Sequence, residues 1–240
     1  MRISHSEPPT ELGTRDGLAY ALFLPERGAP GNERDPAGGV VVLHGAGSCK
    51  ENHFDFARAV RAAGLAAVVF DQRGHGASGG ALGAGAFDDV ATTAAAVLPP
   101  GPIAVRGSSM GGFMALLAGA RMQAAAVVAI CPASGEQLAR GLSHREFEFR
   151  ADEEGLRALL LGADERGAAA ALGERLLLLH AEGDERVPIA SSRALHAAAP
   201  GSRLVAVPGG DHRSVQHDGE LQALAVRFIA RALQLRPARG

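Results

Sequence analysis

The sequence predicts an α/β protein: a mostly parallel central sheet flanked by helices, with an antiparallel hairpin at one edge. Three observations carry this. From residue 40 to the end, short apolar runs alternate with stretches of helical periodicity. The runs are apolar throughout, as in Val40-Val41-Val42-Leu43, which suits strands buried on both faces. Residues 12–24 read as two short strands around Asp16-Gly17, a dipeptide that favours tight hairpin turns.

Taken in order, the hairpin is followed by a Pro- and Gly-rich stretch from Pro25 to Gly39. It reads as a loop, because the ~25 residues before it are too few for a core of their own. After the strand at 40–43, residues 52–63 carry helical spacing at Phe56, Ala59 and Val60, closed by Gly64. Leu65 to Phe70 is the next apolar run. Asp88 is expected to cap a helix that must end before Pro99-Pro100. Ile103 to Arg106 reads as a short strand, and 110–122 as a helix of small residues. Ala125 to Ile130 and Leu176 to His180 are further strands. Helices near 190–199 and 219–234 bracket a last strand, Arg203 to Val207. Residues 135–173 show helical and irregular character and no strand. They are expected to form a small cap insertion over the C-terminal edge of the sheet, where open α/β sheets bind ligands. The rest of 1–240 is expected to be one domain.

Composition excludes several classes. The 240 residues are 47% hydrophobic and 21% charged, the mix of a globular protein. Lys and Arg number 24 against 26 Asp and Glu, a net charge of −2 that argues against nucleic-acid binding. No apolar run approaches the ~20 residues of a membrane span. The segment MRISHSEPPTELG lacks the apolar core of a secretory signal. Two cysteines, Cys49 and Cys131, are too few for a disulfide scaffold. The expected compartment is the cytoplasm. The sequence fixes no oligomeric state and is compatible with a homodimer.

The strongest local signal is Gly107-Ser108-Ser109-Met110-Gly111, a G-x-S-x-G between a strand and a helix. Side chains two residues either side of the serine would collide with so sharp a turn, so both places want glycine. A bare glycine-rich turn is the bland alternative, and the strand-then-helix context argues against it. A nucleophilic serine needs a base, and the base needs an acid to orient it. His212 follows the last strand and falls on the same sheet edge as Ser109; His217 is the reserve. Asp184 follows the Leu176–His180 strand and is the candidate acid, with Glu182 and Glu185 as runners-up. Asp211 adjoins His212, but an extended-chain neighbour points the other way. Two backbone N–H groups are needed for a developing oxyanion. Met110, directly after the serine, and Ala46, in His44-Gly45-Ala46-Gly47, are the candidates.

Other signals are weaker. Residues 74–79 match G-x-G-x-x-G, but no helix starts there and no acid follows at the required spacing, so no dinucleotide is expected. The histidines lack H-E-x-x-H spacing, so no metal or other cofactor is expected. Cys49 reads as a loop filler and Cys131 as buried and inert. The acidic stretch around Glu146, Glu148 and Asp152 to Glu154 suits either a solvated helix face or the capture of a substrate ammonium group.

Together, HGAG at 44–47, DQRGHGASGG at 71–80, GSSMGG at 107–112, GDERVP at 183–188 and GGDH at 209–212 resemble the α/β-hydrolase family. The resemblance covers about residues 12–234 apart from the insertion, and is nearest to the monoacylglycerol lipase and serine aminopeptidase branch. The hairpin start is also similar to dienelactone hydrolase-like esterases, which carry cysteine where this chain has Ser109. The resemblance implies an α/β-hydrolase fold, Ser109, Asp184 and His212 as a triad, and Ala46 and Met110 as oxyanion donors. The expected activity is hydrolysis of small to medium carboxylic esters through an acyl-enzyme, with a small-molecule ester as partner. A cap of about forty residues argues against long-chain lipids. The rivals are a peptidase or amidase, and a non-catalytic ligand-binding protein on the same scaffold.

Overall fold

The computed structural model describes residues 7–26, 36 and 38–234. The Pro25–Gly39 loop therefore lies largely outside the described residues, as does His5. The chain opens with β1 (Glu11–Arg15) and β2 (Leu18–Phe23), paired antiparallel. Asp16 (φ 52°) and Gly17 (φ 79°) supply the two left-handed residues that a tight hairpin turn requires. Next come β3 (Gly39–Leu43), a 3₁₀ turn at Lys50–His53, α1 (Phe54–Ala62), β4 (Ala67–Phe70), α2 (Ala86–Val97), β5 (Ile103–Ser108), α3 (Met110–Arg121) and β6 (Ala126–Ile130). Three helices follow: α4 (Gly135–Ser143), α5 (Glu153–Leu161) and α6 (Glu165–Leu172). The chain ends with β7 (Leu176–Ala181), α7 (Ala190–Ala198), β8 (Arg203–Val207), α8 (Ser214–His217) and α9 (Gly219–Gln234).

The eight strands form one sheet in the order β1-β2-β4-β3-β5-β6-β7-β8. The hairpin joins through an antiparallel β2–β4 pair, and β4 to β8 and β3 are all parallel neighbours. This is the α/β architecture expected. Successive residues of each central strand feed opposite faces. Val41, Val68, Val105, Val127 and Leu178 pack with α2, α3 and α6, while Val40, Val42, Val69, Val128 and Leu179 pack with α1 and α9. Burying each such side chain contributes about 2 kcal/mol, which is why unbroken apolar runs become central strands here.

Four details differ from the sequence expectation. The helix after Gly85 starts at Ala86, with Gly85 as its N-cap, and Asp88 lies in its first turn. An acid there favours the helix dipole as well as a cap would. The helix expected over 52–63 starts as the 3₁₀ turn. β5 runs two residues past Arg106 because that arginine is fully buried rather than ending the strand. Within 135–173, α4 packs with α5, whereas α6 lies against α3 and α7; Ala151 adds a single bridge to Leu82.

The loop after β4 is held by a buried ion pair. Asp71, with no exposed surface, accepts from Lys50 N (2.7 Å), Lys50 Nζ (2.8 Å) and Ala77 N (2.9 Å). Burial opposes its charge, but these donors outweigh burial and hold the carboxyl below its ordinary value. A depressed folded value means the stabilisation is complete above the unfolded carboxylate value, about 3.9, and fades as pH falls through the folded one. Asp71→Ala is expected to cost about 3 kcal/mol in urea unfolding at pH 7, because Lys50 stays buried with only exposed Glu51 as partner. The difference from the parent should shrink in acid.

Candidate active site

The C-terminal ends of the parallel strands put the loops 44–47, 109, 131–134, 182–187 and 208–213 along one edge. The sharpest is a single residue. β5 ends at Ser108 and α3 begins at Met110, so Ser109 alone turns the chain, at φ 56° and ψ −119°. Such a conformation costs a non-glycine residue about 1–3 kcal/mol. It is over-determined by its surroundings. Ser109 N donates to Ile130 O (2.9 Å), and its carbonyl accepts from Phe113 N (3.1 Å) and Ala133 N (3.3 Å). A Cβ on Gly107 would overlap the Gly111 carbonyl, and one on Gly111 would lie 2.5 Å from the carbonyl oxygens of Leu43 and His44. These neighbours are backbone and cannot yield, which is the physical content of the G-x-S-x-G spacing.

Asp184 follows β7 in a turn closed by Asp184 N to Ala181 O (3.3 Å). Its carboxylate has no exposed side-chain surface. Oδ1 accepts from Arg186 N and Val187 N, each at 2.9 Å, and Oδ2 lies 2.7 Å from His212 Nδ1. Burial opposes ionisation, yet the Val187 N–H and the His212 ring outweigh it and keep the carboxyl below its usual range. Gly183 N donates to Gly209 O (3.2 Å), which pins the His212 loop to the end of β7.

Ser109 and His212 line one cavity of about 730 Å³ with Ala46, Leu138, Phe147 and Val187. Among the described residues no hydrogen bond joins Ser109 Oγ to His212. Hydrogen bonds between a nucleophile and its base commonly tighten only when substrate binds. The N–H groups of Ala46 and Met110 have no acceptor among the described residues. The loop bearing Ala46 is braced by His44, whose Nε2 accepts from Gln72 N (3.0 Å) while Gln72 Nε2 donates to His44 O (2.8 Å). Burial lowers the His44 ring to about 4, so it stays neutral and able to accept.

The reserve candidates stand apart from the Asp184–His212 pair, and Glu185 is exposed. His217 also lines the cavity, but its ring is engaged by Asp55 and Gln216. Glu182 is exposed beside Arg193, and Asp211 accepts from Arg213 N and Ser214 N. His180 Nε2 lies 3.6 Å from Asp184 Oδ2 but donates to Val187 O at 2.8 Å. Burial lowers its ring too, so it is a neutral brace. His196 on α7 is partly buried and lies 2.8 Å from Ser202 Oγ. Cys131, Asp184 and His212 place ligand atoms within 4.8 Å of one another. Burial pushes the Cys131 thiol to about 12, with the nearby Asp184 carboxylate adding to the effect, so the sulfur holds its proton. Sequence reasoning missed Arg106 and Gln216, which join β5 to α8; no local pattern marks either.

Comparisons with known proteins agree with this architecture. A family model described as Serine aminopeptidase, S33, matches residues 34–151, and one described as TAP-like protein matches 162–231. No curated protein matches significantly. Among solved structures, Est1E from Butyrivibrio proteoclasticus with ferulic acid bound is 19% identical, covers 93% of this chain and 98% of its own, and superposes at a TM-score of 0.72. The monoacylglycerol lipase of Paleococcus ferrophilus is 18% identical over 90% of this chain and 99% of its own (TM-score 0.70). An enol-lactonase from Burkholderia xenovorans is 18% identical over 92% and 100% (TM-score 0.67). With family models spanning both halves of the chain and whole-chain likeness to these folds, the protein belongs to the α/β-hydrolase family.

Proposed function

We propose that the chain is a serine hydrolase of small to medium carboxylic esters, with Ser109 as nucleophile, His212 as base and Asp184 as its orienting acid. One observation carries the reading. A serine held in a strained turn shares a cavity with a histidine whose Nδ1 is 2.7 Å from a buried, ionised carboxylate. Asp184 Oδ2 accepts a hydrogen bond from His212 Nδ1–H, which leaves Nε2 free to take a proton from Ser109 Oγ. As Oγ attacks the carbonyl carbon, that proton passes to His212 and the developing oxyanion sits between the Ala46 and Met110 N–H groups. Collapse of the tetrahedral species expels the alcohol, protonated by His212. Water activated by the same ring then releases the acid and restores Ser109.

The ester class draws support from the neighbours: an esterase of Pyrococcus furiosus, a lipase and a lactonase all bear this fold. A second reading, a peptidase or amidase, is favoured by Glu146 and Glu148 at the cavity, where they suit a substrate ammonium, and by the aminopeptidase model. A panel of p-nitrophenyl esters graded by acyl length, run beside amino-acid p-nitroanilides, separates the two. Dominant turnover of short esters is expected; dominant anilide turnover establishes the second reading. An intact chain that fails to label with a fluorophosphonate probe would support a ligand-binding protein on this scaffold.

A further inference from the structure

Gln216 lines the cavity but takes no part in the steps above. Its side chain is the middle of a directional hydrogen-bond chain. Ser108 Oγ donates to Gln216 Oε1 at 2.7 Å. Gln216 Nε2 lies 2.8 Å from His217 Nε2. An amide nitrogen only donates, so this ring nitrogen accepts, and the ring proton is on Nδ1, 2.8 Å from Asp55 Oδ2. The Gln216 carbonyl accepts from Arg106 Nη2 (3.1 Å) and Gln222 Nε2 (3.0 Å). Arg106 is itself fully buried, with Nη1 2.8 Å from His53 Nδ1 and its guanidinium 4.6 Å from the centre of the Phe56 ring. Thus both residues flanking Gly107 on the strand that delivers Ser109 grip one residue of α8. That residue lies four positions after His212.

We propose that Gln216 is a positioning residue for the reaction, holding the segment that bears His212 against the strand end that bears Ser109. The proposal rests on the reading of these two as base and nucleophile. The elbow is fixed by β6 and α3, whereas the His212 loop is tied on one side by the Gly183–Gly209 bond and on the other by α8. Because no hydrogen bond joins Ser109 to His212 at rest, their alignment depends on this backbone placement. A misplacement of about 1 Å is enough to cost about 10²-fold in rate.

The test uses the 240-residue chain, p-nitrophenyl acetate and a fluorophosphonate probe. Gln216→Ala is expected to lower kcat by about 10–100-fold with KM held, and to slow labelling of Ser109 in parallel. Ser108→Ala should also lower kcat, and the double variant should lose no more than Gln216→Ala alone, the sign of a shared contact. Gln216→Glu gives a readout that packing alone does not move. A carboxylate at 216 accepts from Ser108 and needs His217 to donate, so the variant's kcat optimum should move to lower pH. His217 there faces Asp55 from α1 and the His53 ring at 6.3 Å, with Arg106 behind His53. A rise in KM at constant kcat, additive single losses, or an unmoved optimum in Gln216→Glu overturns the proposal. A labelled, active parent with an unimpaired Gln216→Ala variant overturns it alone, whereas a parent whose Ser109 takes no label overturns the underlying reading as well.

Discussion

Ser109→Gly is expected to abolish ester hydrolysis while making the protein harder to unfold. Loss of the hydroxyl removes the proposed nucleophile, and losses of about 10⁶-fold in kcat are typical when one member of such a unit is deleted. The stability gain has a separate cause. Ser109 is held at φ 56° and ψ −119°, a conformation that glycine adopts without steric cost. Relief of strain worth about 1–3 kcal/mol is partly offset by the greater freedom of glycine in the unfolded chain, so a net gain of about 1 kcal/mol is expected. Ser109→Ala, which keeps a Cβ in the strained turn, should be equally inactive without the gain. Chemical unfolding of the three proteins beside p-nitrophenyl acetate assays measures both effects. Activity retained in either variant contradicts the nucleophile assignment, and equal stabilities contradict the strain.

Asp184→Asn is expected to lower kcat by about 10⁴-fold while the fold persists. The Asn side-chain oxygen still accepts from the Arg186 and Val187 N–H groups, so the turn after β7 keeps its bonds. The amide nitrogen then faces His212 Nδ1 as a donor. That forces the ring proton onto Nε2, the nitrogen that receives the Ser109 proton in the proposed mechanism. KM should change little, since Asp184 is buried behind the ring and is not among the residues lining the cavity. A variant with near-parental kcat would show that another acid orients His212.

How far this could be read from the chain depends on the range of the interaction. The parallel sheet was legible because both faces of each central strand are buried, and Val40 to Leu43 or Leu176 to Leu179 show it in four residues. The elbow was legible because its clash is local: Gly107 and Gly111 sit two residues from Ser109. Asp184 and His212 could be nominated because each follows a strand, and parallel strands deliver such residues to one edge. Their 2.7 Å contact was not in the pattern. Arg106 shows why the rest was hidden. A charged residue reads as the end of a strand, yet here His53 and the Gln216 carbonyl take its two terminal nitrogens and the Phe56 ring faces its guanidinium inside the protein, while Nε has no partner among the described residues. Those partners lie 50 to 110 residues away in sequence, on a 3₁₀ turn, a helix and α8, a polar four-residue helix too short to carry any period.

The most direct measurement is the mapping by mass spectrometry of the residue that a fluorophosphonate modifies, in the parent and in His212→Ala. A single adduct on Ser109 in the parent, and a greatly slowed adduct in the variant, is the expected result. Modification of a different residue in the folded parent, or labelling of Ser109 at the same rate without His212, would contradict the account.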